Sequence, residues 1–143
     1  MRHGLRTAAA ALLLCTACSA APAVPTVELG TGQRIAVEIV DSAAERRTGL
    51  SGRDEVPAGT GMLFRYDEAG HRSFWMADTL VPLDLAWIRA GQVVAVQTLQ
   101  PCVRGAACPS HTSPGPVDAV LESAAGQLAG VPPGTTVALS GAD

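Results

Sequence analysis

The residues best suited to binding chemistry lie in one stretch, between positions 53 and 84 of the sequence. Arg72 and Trp75 stand close together in it, and an arginine fork beside an aromatic platform binds carboxylates or sugars well. Polar side chains accompany them. We therefore predict a ligand site composed of these residues: Arg53, Arg72, Trp75, Asp78, Thr79 and Asp84. The alternative is structural, with Arg72 paired to a neighbouring carboxylate and Trp75 packed in the core.

The aromatic residues are concentrated in the same stretch. The chain has two Trp, one Tyr and two Phe, and all of them lie between Phe64 and Trp87. Each large ring buries much surface when it packs. We therefore expect this segment to fix the fold and to contain any ligand site.

Sulfur and imidazole side chains allow a second hypothesis, a copper-handling protein. Met62, His71 and Met76 carry the thioether and imidazole groups that suit Cu(I). The alternative is that both methionines fill the core and that His71 is an exposed turn residue. No other cofactor is predicted.

Paired carboxylates allow a third hypothesis, a glycan hydrolase of the cell envelope acting through Asp78 and Asp84. Alternation along residues 83–88 sets Asp84 opposite Leu83 and Leu85, so we expect it to face solvent or a polar cleft. The sequence has no nucleophile elbow and no H-E-x-x-H pattern. We therefore assign no catalytic residue and favour a binding domain over an enzyme.

Two cysteines lie in the last third of the chain, Cys102 and Cys108. Outside the cytoplasm such a pair forms a disulfide, and closing so short a loop stabilises a fold by about 2–2.5 kcal/mol. The alternative takes Cys102, Cys108 and His111 as metal ligands, although this spacing matches no standard zinc site.

The N-terminus predicts a location outside the cytoplasm. Residues 1–17 combine Arg2 and Arg6 with a short apolar run, as in a secretory signal peptide. The end of the run resembles a lipobox, which makes Cys18 the lipid acceptor and residues 18–26 an Ala/Pro tether. The protein is then membrane-anchored through lipid, in the periplasm or on the outer face of the cell membrane. The alternative is ordinary cleavage near Ala20 or Ala21 and release of the protein.

Composition excludes several function classes. The chain contains no Lys and no Asn, so it has no P-loop, no Schiff-base lysine and no N-glycosylation acceptor. Without Arg2 and Arg6, 8 arginines face 13 acidic residues. An acidic domain of this kind is a poor nucleic-acid binder. We expect a monomer whose partners are the membrane and either a small ligand or an envelope protein.

The pattern of residues 27–140 predicts a mainly β fold: a small single-domain β-barrel or sandwich with one short helix near residues 42–50. Ser42 and Glu45 form a capping box at the start of that helix. Short alternating segments separated by Gly and Pro predict the strands, at residues 28–29, 33–40, 61–64, 73–76, 83–88, 92–99, 117–122 and 136–140.

Four ordered sequence blocks resemble the bacterial and archaeal family known as domain of unknown function 192. They read ERRTGLxxR at 45–53, GMLF at 61–64, RSFWM at 72–76 and TLxPLD at 79–84. The resemblance spans residues 27–140 and includes the two-cysteine segment. It implies a compact β-rich domain, often behind a signal peptide, with no assigned activity. The chain departs from the family at Ala77 and Asp78, where Lys-Asn is usual, so any role that needs a cation or an amide there is in doubt.

Overall fold

The computed structural model describes residues 23–102 and 105–142. One helix, α1, covers Ala43–Thr48. The nine strands in chain order are β1 Thr26–Leu29, β2 Arg34–Val40, β3 Thr60–Gly70, β4 Ser73–Trp75, β5 Leu83–Arg89, β6 Gln92–Leu99, β7 Ser110–Thr112, β8 Val117–Ala124 and β9 Val137–Ser140. The predicted signal peptide and Cys18 lie outside the described residues, and the last residue of the predicted tether already belongs to β1.

Seven strands form one curled sheet in the order β6-β5-β8-β3-β2-β1-β9, and β4 pairs with β7 in a small second sheet. Only β2 and β3 run parallel among the seven. A parallel pair needs a crossover connection, and α1 lies in it. The two edges of the curled sheet approach each other, since the Val93 N–H donates to the Thr135 carbonyl (2.9 Å) and the Val137 N–H to the Gly91 carbonyl (2.8 Å). The prediction of a small, mainly β, barrel-like domain with one short helix is confirmed.

The helix α1 begins and ends where its sequence requires. The Glu45 N–H donates to the Ser42 hydroxyl (3.2 Å), and the Ser42 N–H donates to the Glu45 carboxylate (3.1 Å), which completes the predicted capping box. Gly49 ends the helix with a positive φ of 49°. A Cβ there would lie 3.3 Å from the Phe64 ring. Glycine therefore allows the end of α1 to close onto the aromatic core.

The core consists of one hydrophobic cluster on each face of the curled sheet. The aromatic cluster contains Phe64 and Trp87, with the half-buried Phe74 packed against it. Phe74 meets Phe64 edge-to-face at 4.9 Å between ring centroids, and meets Trp87 in the same way at 5.5 Å. The second cluster covers the opposite face and is aliphatic, with Leu121 and Ile88 among its members. The edge-to-face contacts of Phe74 with Phe64 and Trp87 attach β4 to the large sheet.

Asp84 is fully buried, so the expectation that it faces solvent or a polar cleft is wrong. Alternation along β5 does separate it from Leu83 and Leu85, but both faces of this inner strand are covered. Its carboxyl accepts hydrogen bonds from the Thr98 hydroxyl (2.6 Å) and from the backbone N–H groups of Gly126 (2.8 Å) and Leu128 (2.9 Å). Asp84 therefore anchors the turn between β8 and β9.

Two features of the fold escaped prediction. The short polar strand β7 has no alternating pattern, and β3 continues to Gly70 through exposed residues, well beyond the predicted end at residue 64. Cys102 and Cys108 lie just before β7 at disulfide distance, with 5.3 Å between their Cα atoms. Both pack against the aromatic cluster.

Replacing Asp84 should destabilise the fold, because its removal leaves two backbone donors of the β8–β9 turn without an acceptor. We expect Asp84→Ala to lower the free energy of unfolding by about 3 kcal/mol, measured by urea denaturation. Thr98→Val is the matched control: it keeps the carboxyl and removes one partly buried donor, so it should cost about 1 kcal/mol. Equal losses in the two variants would contradict this role.

Candidate functional site

A cleft of about 350 Å³ opens between two segments of the chain. One consists of α1 and the loop that follows it, and the other consists of β4 and the turn that follows it. We name it the α1–β4 cleft. Its volume lies within the usual range of small-molecule sites. The side chains that line it and bear on its chemistry are Arg46, Arg47, Phe64, Tyr66, Phe74, Trp75, Asp78, Thr79 and Glu122. The cleft thus combines aromatic surface, charge and hydroxyl groups.

Trp75 lies at the cleft with 64% of its surface exposed. The two faces of β4 explain this, because Phe74 packs inward on Phe64 and Trp87 while its neighbour Trp75 points outward. The core-packing alternative for Trp75 is therefore wrong. An exposed indole beside a cleft is a ready platform for a ligand with an apolar face.

Glu122 lies in the wall of the cleft and is only 6% exposed. It lies on the inner strand β8, opposite Met62 of β3 and Leu85 of β5. Gly61, next to Met62, is required for the close approach of β3, because a Cβ there would collide with the Glu122 carbonyl. Within the described residues, the Glu122 side chain has no hydrogen bond and no salt bridge. Burial raises its pKa from 4.5 to about 8, so at neutral pH the carboxyl keeps its proton.

Tyr66 is half-buried between the cleft and two arginines. The guanidinium carbon of Arg72 lies 3.9 Å from the ring centroid, and that of Arg46 lies 4.8 Å from it. Burial raises the pKa of Tyr66, whereas the two nearby guanidinium groups lower it. Arg72 also donates to the Glu68 carbonyl (2.6 Å). Arg72 therefore supports Tyr66. Among the described residues it is not paired to a carboxylate, which was the structural alternative.

The two helix arginines at the cleft differ in how they are held. Arg46 donates to the carbonyls of Asp41 and Arg65 as well as contacting Tyr66. Arg47 is exposed and has no hydrogen bond or salt bridge with any residue that the structure describes. Arg47 is thus the guanidinium in the cleft with its donors available to a ligand.

The turn after β4 is shaped by Asp78, whose φ of 56° lies in the left-handed region. Asn and Asp adopt this conformation more readily than other non-glycine residues. The usual Asn of the family and the Asp of this chain therefore suit the same turn. The Asp78 carbonyl accepts from the Gly52 N–H (2.8 Å), which ties the turn to the end of α1. Ala77 also lines the cleft, so the cleft lacks the cation that Lys would place there.

The structure brings together three of the six predicted ligand-site residues, since Trp75, Asp78 and Thr79 line the α1–β4 cleft. Arg72 lies behind Tyr66. Arg53 lies outside the cleft lining and forms a bidentate pair with Glu38 (2.6 and 2.7 Å), which lowers the pKa of the Glu38 carboxyl.

Asp84 and Asp78 do not form a catalytic pair, because Asp84 is buried beneath the other face of the sheet. The predicted ligand site did not include the other four ionisable residues of the cleft, which are Arg46, Arg47, Tyr66 and Glu122, nor the hydroxyl residues Thr48, Ser51 and Ser73. A signal for Glu122 was present, since strand alternation places this carboxyl on the same face as the buried Val120.

The predicted copper ligands occupy different environments. Met62 and Met76 lie in the aromatic cluster, at 3% and 2% exposure, whereas His71 is exposed. In residues 23–102 and 105–142, no three His, Cys, Asp or Glu side chains are grouped as metal ligands. The cleft is therefore a better candidate for the functional site than a metal centre is.

Comparisons with known proteins identify the family. The family model DUF192, described as an uncharacterized ACR, matches residues 26–139. The chain belongs to the DUF192 family. None of the curated proteins matches it.

Two solved structures resemble the DUF192 domain closely. A protein of unknown function from Novosphingobium aromaticivorans DSM 12444 is 27% identical with a TM-score of 0.70, over 95% of this chain and 99% of that one. A protein from Sinorhizobium meliloti 1021, provisionally named a transcription regulator, is 28% identical with a TM-score of 0.70, over 87% of this chain and 99% of that one. In the described part of this chain, no helix has the length and apolar character needed to cross a membrane.

The raised pKa of Glu122 predicts a pH dependence of stability. Between pH 4.5 and about 8 the folded state keeps a proton that the unfolded state loses, so stability falls as the pH rises. The limiting slope is about 1.4 kcal/mol per pH unit. Glu122→Gln should flatten this slope in urea denaturation series, and Glu55→Gln, at an exposed position, should not. A wild-type stability that stays level or rises across this pH range, with the same profile in Glu122→Gln, would contradict the assignment.

Proposed function

We propose that this DUF192 protein is a lipid-anchored, extracytoplasmic binding domain whose small ligand occupies the α1–β4 cleft. The observation that carries the proposal is the juxtaposition, in one cleft, of the exposed Trp75 and the buried Glu122, whose carboxyl has no hydrogen-bond partner among the described residues. The buried carboxyl carries a desolvation cost, and the exposed indole offers apolar surface, so a ligand in the cleft could satisfy the first and cover the second.

The energetic argument starts from Glu122. Burial of an ionisable carboxyl costs stability, because it disfavours the charged form, and a carboxyl with a perturbed pKa in a cleft is a mark of a functional site. Gln or Leu at this position would avoid the ionisation penalty. A ligand group that hydrogen-bonds the carboxyl recovers the lost interaction, which accounts for its presence.

The wall of the cleft favours a saccharide as the ligand. A sugar ring presents an apolar C–H face, which packs on an indole such as Trp75, and hydroxyl groups at its rim. Hydroxyl and charged side chains line the same cleft to meet those groups, among them Thr48, Ser51, Ser73 and Thr79. We therefore infer a sugar or sugar-like ligand in preference to an extended peptide or a purely apolar molecule.

Two sequence features support the extracytoplasmic location. Residues 1–17 have the layout of a lipoprotein signal, with Cys18 as the lipid acceptor that follows it. Cys102 and Cys108 stand at disulfide distance, and disulfides persist in oxidising compartments. A binding domain held at the membrane surface fits both.

The platform role of Trp75 is tested by Trp75→Ala. We expect saccharides of the cell envelope that bind the wild type, found by saturation-transfer NMR, to bind the variant about tenfold more weakly or not at all. The circular dichroism spectrum should stay that of the folded protein, because Trp75 is exposed. Val94→Ala, at an exposed apolar position that does not line the cleft, is the control. Unfolding of Trp75→Ala, or unchanged affinity, would contradict the platform role.

The anchor is tested in cells with the full chain. Metabolic labelling with palmitate should label the wild type, and Cys18→Ser should abolish the label and release the protein from the membrane fraction. Val24→Ala, in the predicted tether, is the control, since it leaves the lipobox and Cys18 intact and should keep the label. A wild-type protein without lipid would instead support simple cleavage and release.

A further inference from the structure

We infer that the α1–β4 cleft takes an acidic saccharide, whose carboxylate binds Arg47 while Glu122 acts as a hydrogen-bond donor to the ligand. The inference rests on the proposed function and adds the charge of the ligand to it. Two readings of Glu122 compete. A carboxylate would attract an amine, whereas a neutral carboxylic acid would donate its O–H to an oxygen.

The ionisable groups of the cleft decide between these readings. The elements around Glu122 contribute two guanidinium groups from α1, the phenol of Tyr66 from β3 and the carboxyl of Asp78 from the turn after β4, while β5 contributes only Leu85 opposite it. None of these groups hydrogen-bonds Glu122. With Glu122 neutral, Arg46 and Arg47 outweigh Asp78, so the cleft favours an anion.

Arg47 is the group that receives the anion. The guanidinium of Arg46 is already held by two backbone carbonyls and the Tyr66 ring. Arg47 makes no such contacts among the described residues, and a guanidinium binds a carboxylate through two parallel hydrogen bonds. An amine in the same cleft would face both arginines and a carboxyl that carries no charge.

Glu122 then distinguishes ligand oxygens from ligand nitrogens. The neutral carboxyl has one O–H donor and an accepting carbonyl oxygen. Buried as it is, it binds a hydroxyl or carboxylate oxygen of the ligand through that donor. Ionisation of Glu122 removes the donor and adds a negative charge beside the anion, so binding should weaken as the pH rises.

Three sugars with the same ring size test the inference: glucuronate, glucose and glucosamine, which are negative, neutral and positive at pH 6.5. Binding is followed by saturation-transfer NMR and by protection of Trp75 from acrylamide quenching, with the buried Trp87 as the internal reference. We expect glucuronate to bind at least tenfold more tightly than glucosamine at pH 6.5. Its affinity should fall between pH 7 and pH 9, in line with the raised pKa of Glu122.

Two variants assign the roles. Glu122→Gln keeps a donor and cannot ionise, so it should bind glucuronate at pH 6.5 and lose the fall towards pH 9. Arg47→Gln should reduce the affinity for glucuronate to that for glucose, while Arg34→Gln, whose arginine pairs with Glu28 elsewhere on the surface, should leave it unchanged.

The outcomes separate this inference from the proposed function. A preference for glucosamine, equal affinity for the three sugars, or loss of glucuronate binding in Glu122→Gln would overturn the inference and leave a sugar-binding cleft standing. No protection of Trp75 by any of the three sugars would overturn both.

Discussion

The edge-to-face packing of Phe64, Phe74 and Trp87 is the interaction on which the site depends. It attaches β4, a strand of only three residues, to the large curled sheet. With Phe74 held inward, the alternation of the strand turns Trp75 outward, and the segment that follows β4 returns to the end of α1 through the hydrogen bond between Asp78 and Gly52. The α1–β4 cleft is the space that remains between these elements. The same rings that stabilise the core therefore position the binding platform.

Whereas the aromatic rings stabilise the domain, the buried carboxyl of Glu122 lowers its stability. Its strand lies between β3 and β5 at the centre of the sheet, so its carboxyl has only the cleft to face. Burial keeps it protonated, and the domain gives up stability at neutral pH that an apolar residue would retain. Asp84, the other buried carboxyl, shows the contrast: three donors satisfy it, and it serves the fold. One buried acid is structural, and the other is available to a ligand.

Local signals in the sequence were sufficient for the helix and most strands. The capping box at Ser42 and the alternation of β5 and β6 depend on neighbouring residues alone, and the structure contains both. Alternation predicts one buried and one exposed face, but both faces of β5 are buried. The environment of Asp84 was therefore predicted wrongly. Alternation along β8 could indicate that Glu122 lies on a buried face, but its meeting with Arg47 in one cleft depends on contacts between distant segments, which no local pattern contains. Trp75 was predicted as a site residue because the concentration of aromatic residues in one segment can be seen in the sequence itself.

The function proposed for the α1–β4 cleft depends on Glu122 keeping its proton at neutral pH in the ligand-free protein. A ¹³C NMR titration of the side-chain carboxyl of Glu122 in the ligand-free protein, assigned by its absence in Glu122→Gln, measures this directly. We expect a midpoint of about 8. A midpoint near the ordinary value of 4.5 would show that Glu122 is ionised and solvated, and that it cannot donate a hydrogen bond to a ligand at neutral pH.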